Sequence, residues 1–135
     1  MLRLRPARQP WPSFWHDLRP NTATRWPHSI TLAIRNYHNS GDTTTIRVPL
    51  AVLAAVFDRL GRYEPAATIA GFALSPLAAA GVPEITTAIT HLRDVLDEAT
   101  YESLARKGET MTTAAMATYA YDQIDQARTE LEHPS

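Results

Sequence analysis

From Ser29 to Leu131 the apolar positions recur at helical spacing, and no stretch shows the period-two alternation of a half-buried strand. The densest stretch is Ala51 to Leu74, AVLAAVFDRLGRYEPAATIAGFAL. Its first half sets Leu53, Val56, Phe57 and Leu60 at i, i+3, i+4 and i+7, which lines one face of a helix and calls for a partner surface. Gly61 then ends that helix, because a residue without Cβ enters the left-handed region cheaply. Pro65 suits the first turn of a second helix, where a missing N–H is no loss. Beyond the turn Leu60-Gly61-Arg62-Tyr63, the small residues Ala66, Ala67, Ala70, Gly71 and Ala73 allow a close neighbour, and Ile69, Phe72 and Leu74 supply bulk. The stretch therefore predicts two helices folded back on each other as an antiparallel pair.

The remaining elements follow from the same spacing. Ile30, Ala33, Ile34 and Tyr37 share a face of a helix over Ser29 to Asn39, with Ser29 as N-cap and Ser40-Gly41-Asp42 as its end. The helix before Gly61 either starts close to Val48 or is kinked at Pro49, since apolar positions begin near Thr44. Ser75-Pro76 opens a short turn through Leu77 to Ala80, and Gly81-Val82-Pro83 breaks the chain again. Ile85, Ala88, Ile89, Leu92, Val95 and Leu96 mark the next helix. Asp97 caps another, which carries Tyr101, Leu104 and Ala105 up to Gly108. Thr112 caps the last, with Ala117, Ala120, Tyr121, Ile124, Ala127 and Leu131 along one stripe. The expectation is an all-α fold of about six helices, with Phe57, Leu60, Ile69, Phe72, Ile89, Leu92 and Ile124 buried.

Gly61, Tyr63, Ala66, Ala73 and Leu74 hold the spacing of the turn and second helix of a tetratricopeptide repeat, with Ala70 in place of the usual larger residue and the proline arriving early as Pro76. Further along, LRDVLDEATYESLARKGETMTTAAMATYA resembles the closing stretch of the helical region of large bacterial LuxR-type regulators. The features that carry this are Leu96, Tyr101, Gly108, Met111-Thr112 and Tyr119-Ala120, preceded in family order by Tyr37, Ser40-Gly41-Asp42, Leu53-Ala54, Leu60-Gly61, Ala66-Ala67 and Gly71. Ala114, Ala115 and Met116 depart from the family pattern. The resemblance spans roughly Ser29 to Leu131 and implies antiparallel helix pairs, a degenerate tetratricopeptide-like α-solenoid fragment. Those regulators use nucleotide and bind DNA through other regions. The present sequence has no GxxxxGK[ST] loop and no C-terminal helix-turn-helix, so the expectation is the helical module alone.

Composition narrows the class. The chain has 135 residues with 44% hydrophobic content, enough for one modest core. Its net charge of −1 is unevenly divided, because Arg3, Arg5, Arg8, Arg19 and Arg25 face only Asp17 in the first 28 residues. That leader, residues 1–28, also carries Trp11, Trp15 and Trp26 among five prolines, which repeatedly remove helix hydrogen bonds. It reads as irregular, distinct from the helical domain 29–135. Arginine and tryptophan together suit nucleic-acid contact, but arginines separated by prolines make no single basic face, and a tail lying over the body is the favoured reading. With no cysteine, disulfides, thiolate metal sites and a cysteine nucleophile are excluded. No apolar run reaches a membrane span, and the Arg-rich start lacks the apolar core of a signal peptide; the cytoplasm is the default location.

Chemical candidates are sparse. His16, His28, His38, His91 and His133 lack the i, i+4 pairing that aims two imidazoles at one metal. His91-Asp94 is an i, i+3 pair that reads as a solvated surface contact rather than a catalytic dyad. Asp94, Asp97, Glu98 and Glu102 cluster near helix ends, where carboxylates complement the N-terminal dipole and where Arg93, Arg106 and Lys107 offset them. No serine or threonine has a GxSxG setting. The expectation is a non-enzyme with no catalytic, cofactor-binding or metal-binding residues. Its role is then protein interaction or regulation, with a nucleic-acid accessory as the alternative and a small helical enzyme last. Self-association as a homodimer is expected through the apolar face of the first helix (Ile30, Ile34, Tyr37) or the last (Ala120, Ile124, Ala127, Leu131), unless the leader covers it.

Overall fold

The computed structural model describes residues 25–132, all-helical with no strand among them. Seven helices follow in order: α1 (Arg25–Asn39), α2 (Arg47–Arg59), α3 (Tyr63–Ala73), α4 (Pro76–Gly81), α5 (Glu84–Leu96), α6 (Glu98–Glu109) and α7 (Thr113–Glu132). Expectations about the Trp-rich leader before Arg25 lie outside the described residues, as does the side chain of Leu131.

The first helix starts earlier than its capping signal implied. Ser29 is an exposed residue inside α1 rather than its N-cap, and Pro27 is accommodated because it falls in the first turn, where no intrahelical N–H is required. Gly41 turns the chain at φ +77°, and Asp42 follows by accepting hydrogen bonds from the backbone N–H groups of Thr44 (3.2 Å) and Thr45 (2.8 Å). Those bonds hold the Asp42 carboxyl below the ordinary carboxylate value, with Thr45 the main cause. Helix α2 then begins at Arg47, so Pro49 again sits in a first turn.

Between α2 and α3 the helix end is closed by two bonds, from Gly61 N–H to Asp58 O (3.2 Å) and from Arg62 N–H to Phe57 O (2.8 Å). Gly61 has φ +82°, the left-handed conformation this double closure requires. Ser75 caps α4 by accepting from Ala78 N–H, and Thr112 caps α7 by accepting from Ala115 N–H. Asp97 does the same for α6 through Thr100 N–H at 2.9 Å, while itself holding φ +66°, a costly value for a residue with Cβ.

Helix α3 is the centre of the molecule, packed on α2, α5, α6 and α7. Its closest neighbour outside the hairpin is α6, and two glycines explain the approach. A Cβ on Gly71 would collide with the Ala105 backbone, and one on Gly108 would collide with the Thr68 carbonyl. Gly108, expected at the end of its helix, is the penultimate residue of α6 and serves there as a packing residue. Phe57, Ile69, Phe72, Leu92 and Ile124 are buried as expected, whereas Leu60 and Ile89 are only half-buried at the margin of the core. Ile46, Leu50, Ile85, Tyr101 and Met116 complete the interior.

The last helix returns to the first: α7 packs along α1, and Arg35 lies over the Tyr121 ring at 6.0 Å. Ile30 and Ile34 of α1 and Ala120, Ile124 and Ala127 of α7 are all buried. These parts of the two apolar faces expected to seek a partner therefore pack within the core, while Tyr37 is half-buried at its margin.

Candidate functional site

Most polar side chains of the body are engaged at helix ends or on the surface. Among the described residues two polar side chains are buried: Thr68, whose hydroxyl donates to the Glu64 carbonyl of its own helix at 3.0 Å, and Asp58, an acid in the middle of the apolar run AAVFDRL and only 5% exposed. An ionised carboxylate taken that far from water requires a compensating partner. It finds one across the helix interface in His91 of α5, whose Nδ1 lies 2.6 Å from Asp58 Oδ1. Tyr63, at the start of α3, sets its ring edge-on to the imidazole, with centroids 5.7 Å apart and planes at 76°. Three elements thus fix one histidine.

Burial pushes the Asp58 carboxyl above the ordinary carboxylate value, and the hydrogen bond and charge of His91 oppose that only in part. The His91 side chain is 45% exposed. A small cavity of about 390 Å3 lies beside the pair, lined by Asp58, Arg59, Tyr63, Thr87 and His91. It adjoins a wider, open groove lined by Thr86, Thr90, Arg93, Asp94 and Glu98, with Thr87 and His91 common to both.

No family model, curated protein or solved structure matches the chain. The chemistry of the groove is therefore legible only in its own geometry.

The sequence placed the wrong acid beside His91. Asp94, one turn on, is exposed and lines the outer groove, whereas Asp58, a full hairpin away in the chain, holds the ring. The signal was present in the apolar surroundings of Asp58, which demanded a polar partner, but nothing in the spacing named His91. The acidic run behaves as expected of a helix junction. Arg93 of α5 donates to Glu98 and to Glu102 (2.7 Å), and its guanidinium lies over the Tyr101 ring at 4.6 Å. Asp97 is committed to the α6 cap. Of the remaining histidines, His28 and His38 lie on α1, away from this groove, and His16 and His133 lie outside the described residues. Among the described residues no three histidine or carboxylate side chains converge as metal ligands, and no helix is long and apolar enough to cross a membrane.

A second hollow of about 480 Å3 lies along the α1–α7 seam, lined by Pro27, His28, Thr31, Arg35, Tyr121, Ile124, Asp125 and Arg128. Arg128 pairs with Asp125 there at 2.5 Å, an exposed contact of small energetic weight.

Proposed function

We propose that the chain is a non-catalytic helical module for protein interaction and regulation, related in design to the tetratricopeptide-like region of LuxR-type regulators. One observation carries this reading. The α2–α3 hairpin stacks on the α5–α6 pair with α2 against α5 and α3 against α6, the relation expected between successive repeats. Such stacks present outer surfaces to partners, and Leu74 (51% exposed), Leu77 (45%) and Val95 (42%) are large apolar side chains left outside the core. Of the residues that carry the resemblance, Gly61 supplies the positive φ of the turn and Gly71 allows the close approach to Ala105 of α6.

The test is crosslinking in the native host with the Leu74→Glu/Leu77→Glu variant as control, after matching its melting temperature to that of the parent. A defined partner crosslinked by the parent and lost in the variant supports the reading. Equal crosslinking by both sends the proposed surface elsewhere. Binding to mixed DNA and RNA that weakens steeply with salt would replace it with the nucleic-acid reading.

A further inference from the structure

Helices α5 and α6 are separated by one residue, Asp97. It holds φ +66° and ψ 163°, a region that belongs almost wholly to glycine, and among the described residues it is the one non-glycine with positive φ. The other breaks are built differently. Gly41 and Gly61 supply the positive φ of the first two turns, and Pro76 and Pro83 stand at the next two. From Glu84 to Lys107, by contrast, the sequence contains neither glycine nor proline, so nothing in it forbids one continuous helix across Asp97. The bend is imposed by packing. Arg93 of α5 donates to Glu102 of α6 at 2.7 Å and lies over the Tyr101 ring, while Gly71 and Gly108 let α6 close on α3. The Asp97 carboxylate offsets part of the strain by accepting from Thr100 N–H at 2.9 Å.

We propose that the α5–α6 junction is a hinge through which two copies of the chain exchange α6 and α7. In the exchanged form α5 and α6 run on as one helix and Asp97 takes ordinary helical angles. The α6 and α7 of each copy then pack on α1, α3 and α5 of the other, as they do within one chain here. Contacts that close the monomer recur between copies, among them Gly71 against Ala105 and Arg93 with Glu102 and Tyr101. Because the same surfaces are buried in both forms, the balance rests on strain relieved at two hinges against the freedom lost when two chains associate. The exchanged dimer therefore gains on the monomer as concentration rises. Exchange requires α6 and α7 to leave α3 and α1 first, so the two forms interconvert slowly. It also requires no bare apolar face, in keeping with a molecule in which Ile34 and Ala120 are fully buried. The proposal goes beyond the interaction reading and does not depend on the surface of Leu74 and Leu77.

The experiment compares the full chain with Asp97→Gly and Asp97→Ala by light scattering over a range of concentrations after long equilibration, with circular dichroism confirming equal helix content. The parent is expected to form a dimer at high concentration that persists on rapid dilution. Glycine accepts the bend without strain and weakens a continuous helix, so Asp97→Gly should lower the dimer association constant by about tenfold or more. Alanine favours the helix and gives up the cap to Thr100 while keeping a Cβ, so Asp97→Ala should raise it by about tenfold or more. In dimers assembled from isotope-labelled and unlabelled chains, NMR should show the Gly71–Ala105 contact between chains rather than within one. If one substitution prevents folding, the other and the labelled dimer still decide. Monomers at every concentration in both the parent and Asp97→Ala overturn the proposal. So does a dimer whose α3–α6 contacts stay within each chain, or one that forms equally well in the parent and in Asp97→Gly. None of these outcomes alters the crosslinking result expected for Leu74 and Leu77.

Discussion

Asp58 and Tyr101 show how single residues reflect their surroundings rather than their type. Tyr101 is only 3% exposed, and burial pushes its phenol above the ordinary value, helped by Glu102 and Glu98 and opposed by the charge of Arg93. Its folded-state value is therefore raised above the unfolded one near ~10. A group shifted this way contributes stability that is complete below the unfolded value and lost as pH rises through the folded one. The parent protein should thus lose more stability than Tyr101→Phe as pH rises above the unfolded value of about 10, as measured by denaturant unfolding at each pH. Equal losses would mean that the phenol titrates alike in the folded and unfolded states. Tyr101 was legible in the sequence as a helix-face residue with Glu98 and Glu102 on its own helix, but the Arg93 guanidinium over its ring was not, because that contact crosses from α5 to α6. The same limit hid the Asp58–His91 pair, whose members share no local spacing.

At the scale of elements, turns and caps were the readable part. Gly61, Ser75, Asp97 and Thr112 act within a few residues of themselves, so local chemistry determines them. Ser29 failed as a cap because the buried Pro27 extended the first turn backwards, and a serine signal does not weigh that tertiary gain. Gly108 lies one residue before the helix end, as its position suggested, but its lack of Cβ is used against Thr68, which local sequence does not reveal. Replacing it tests this directly. Gly108→Ala raises helix propensity by about 1 kcal/mol, yet it should destabilise the protein, by roughly 1–3 kcal/mol as overpacking usually does. Gly81→Ala, at a position where an added Cβ meets nothing, serves as the control. A more stable Gly108→Ala variant in thermal melting would show that α3 and α6 do not approach as closely as described.

For the whole molecule, the all-helical class was readable from periodicity, and the way the helices close was not. Periodicity says that a face is apolar but not what covers it. The expectation of a bare terminal face came from treating the helices as a linear array, whereas α7 turns back on α1 and buries Ile34 completely. Arg62, in the α2–α3 turn, reaches the same helix through Glu130 at 2.6 Å and lies over Phe57 at 5.8 Å. Two residues of α1 measure the closure. Ile34→Ala should cost about 2–5 kcal/mol, as for other buried large-to-small changes, while Leu32→Ala, at a 40% exposed position, should stay within about 0.5 kcal/mol. Urea midpoints that fall equally for both would mean that the seam contributes nothing.

The return of α7 to α1 also bears on the order in which the protein assembles. Contacts along this seam join helices from opposite ends of the described chain, and closing so long a loop costs entropy before any of those contacts forms. The hairpin of α2 and α3 carries no such cost. Non-local pairing of this kind slows folding relative to a bundle of neighbouring helices. In the native state the seam is then the natural line along which the molecule opens first, with α1 and α7 exchanging their amide protons ahead of the α3–α6 crossing.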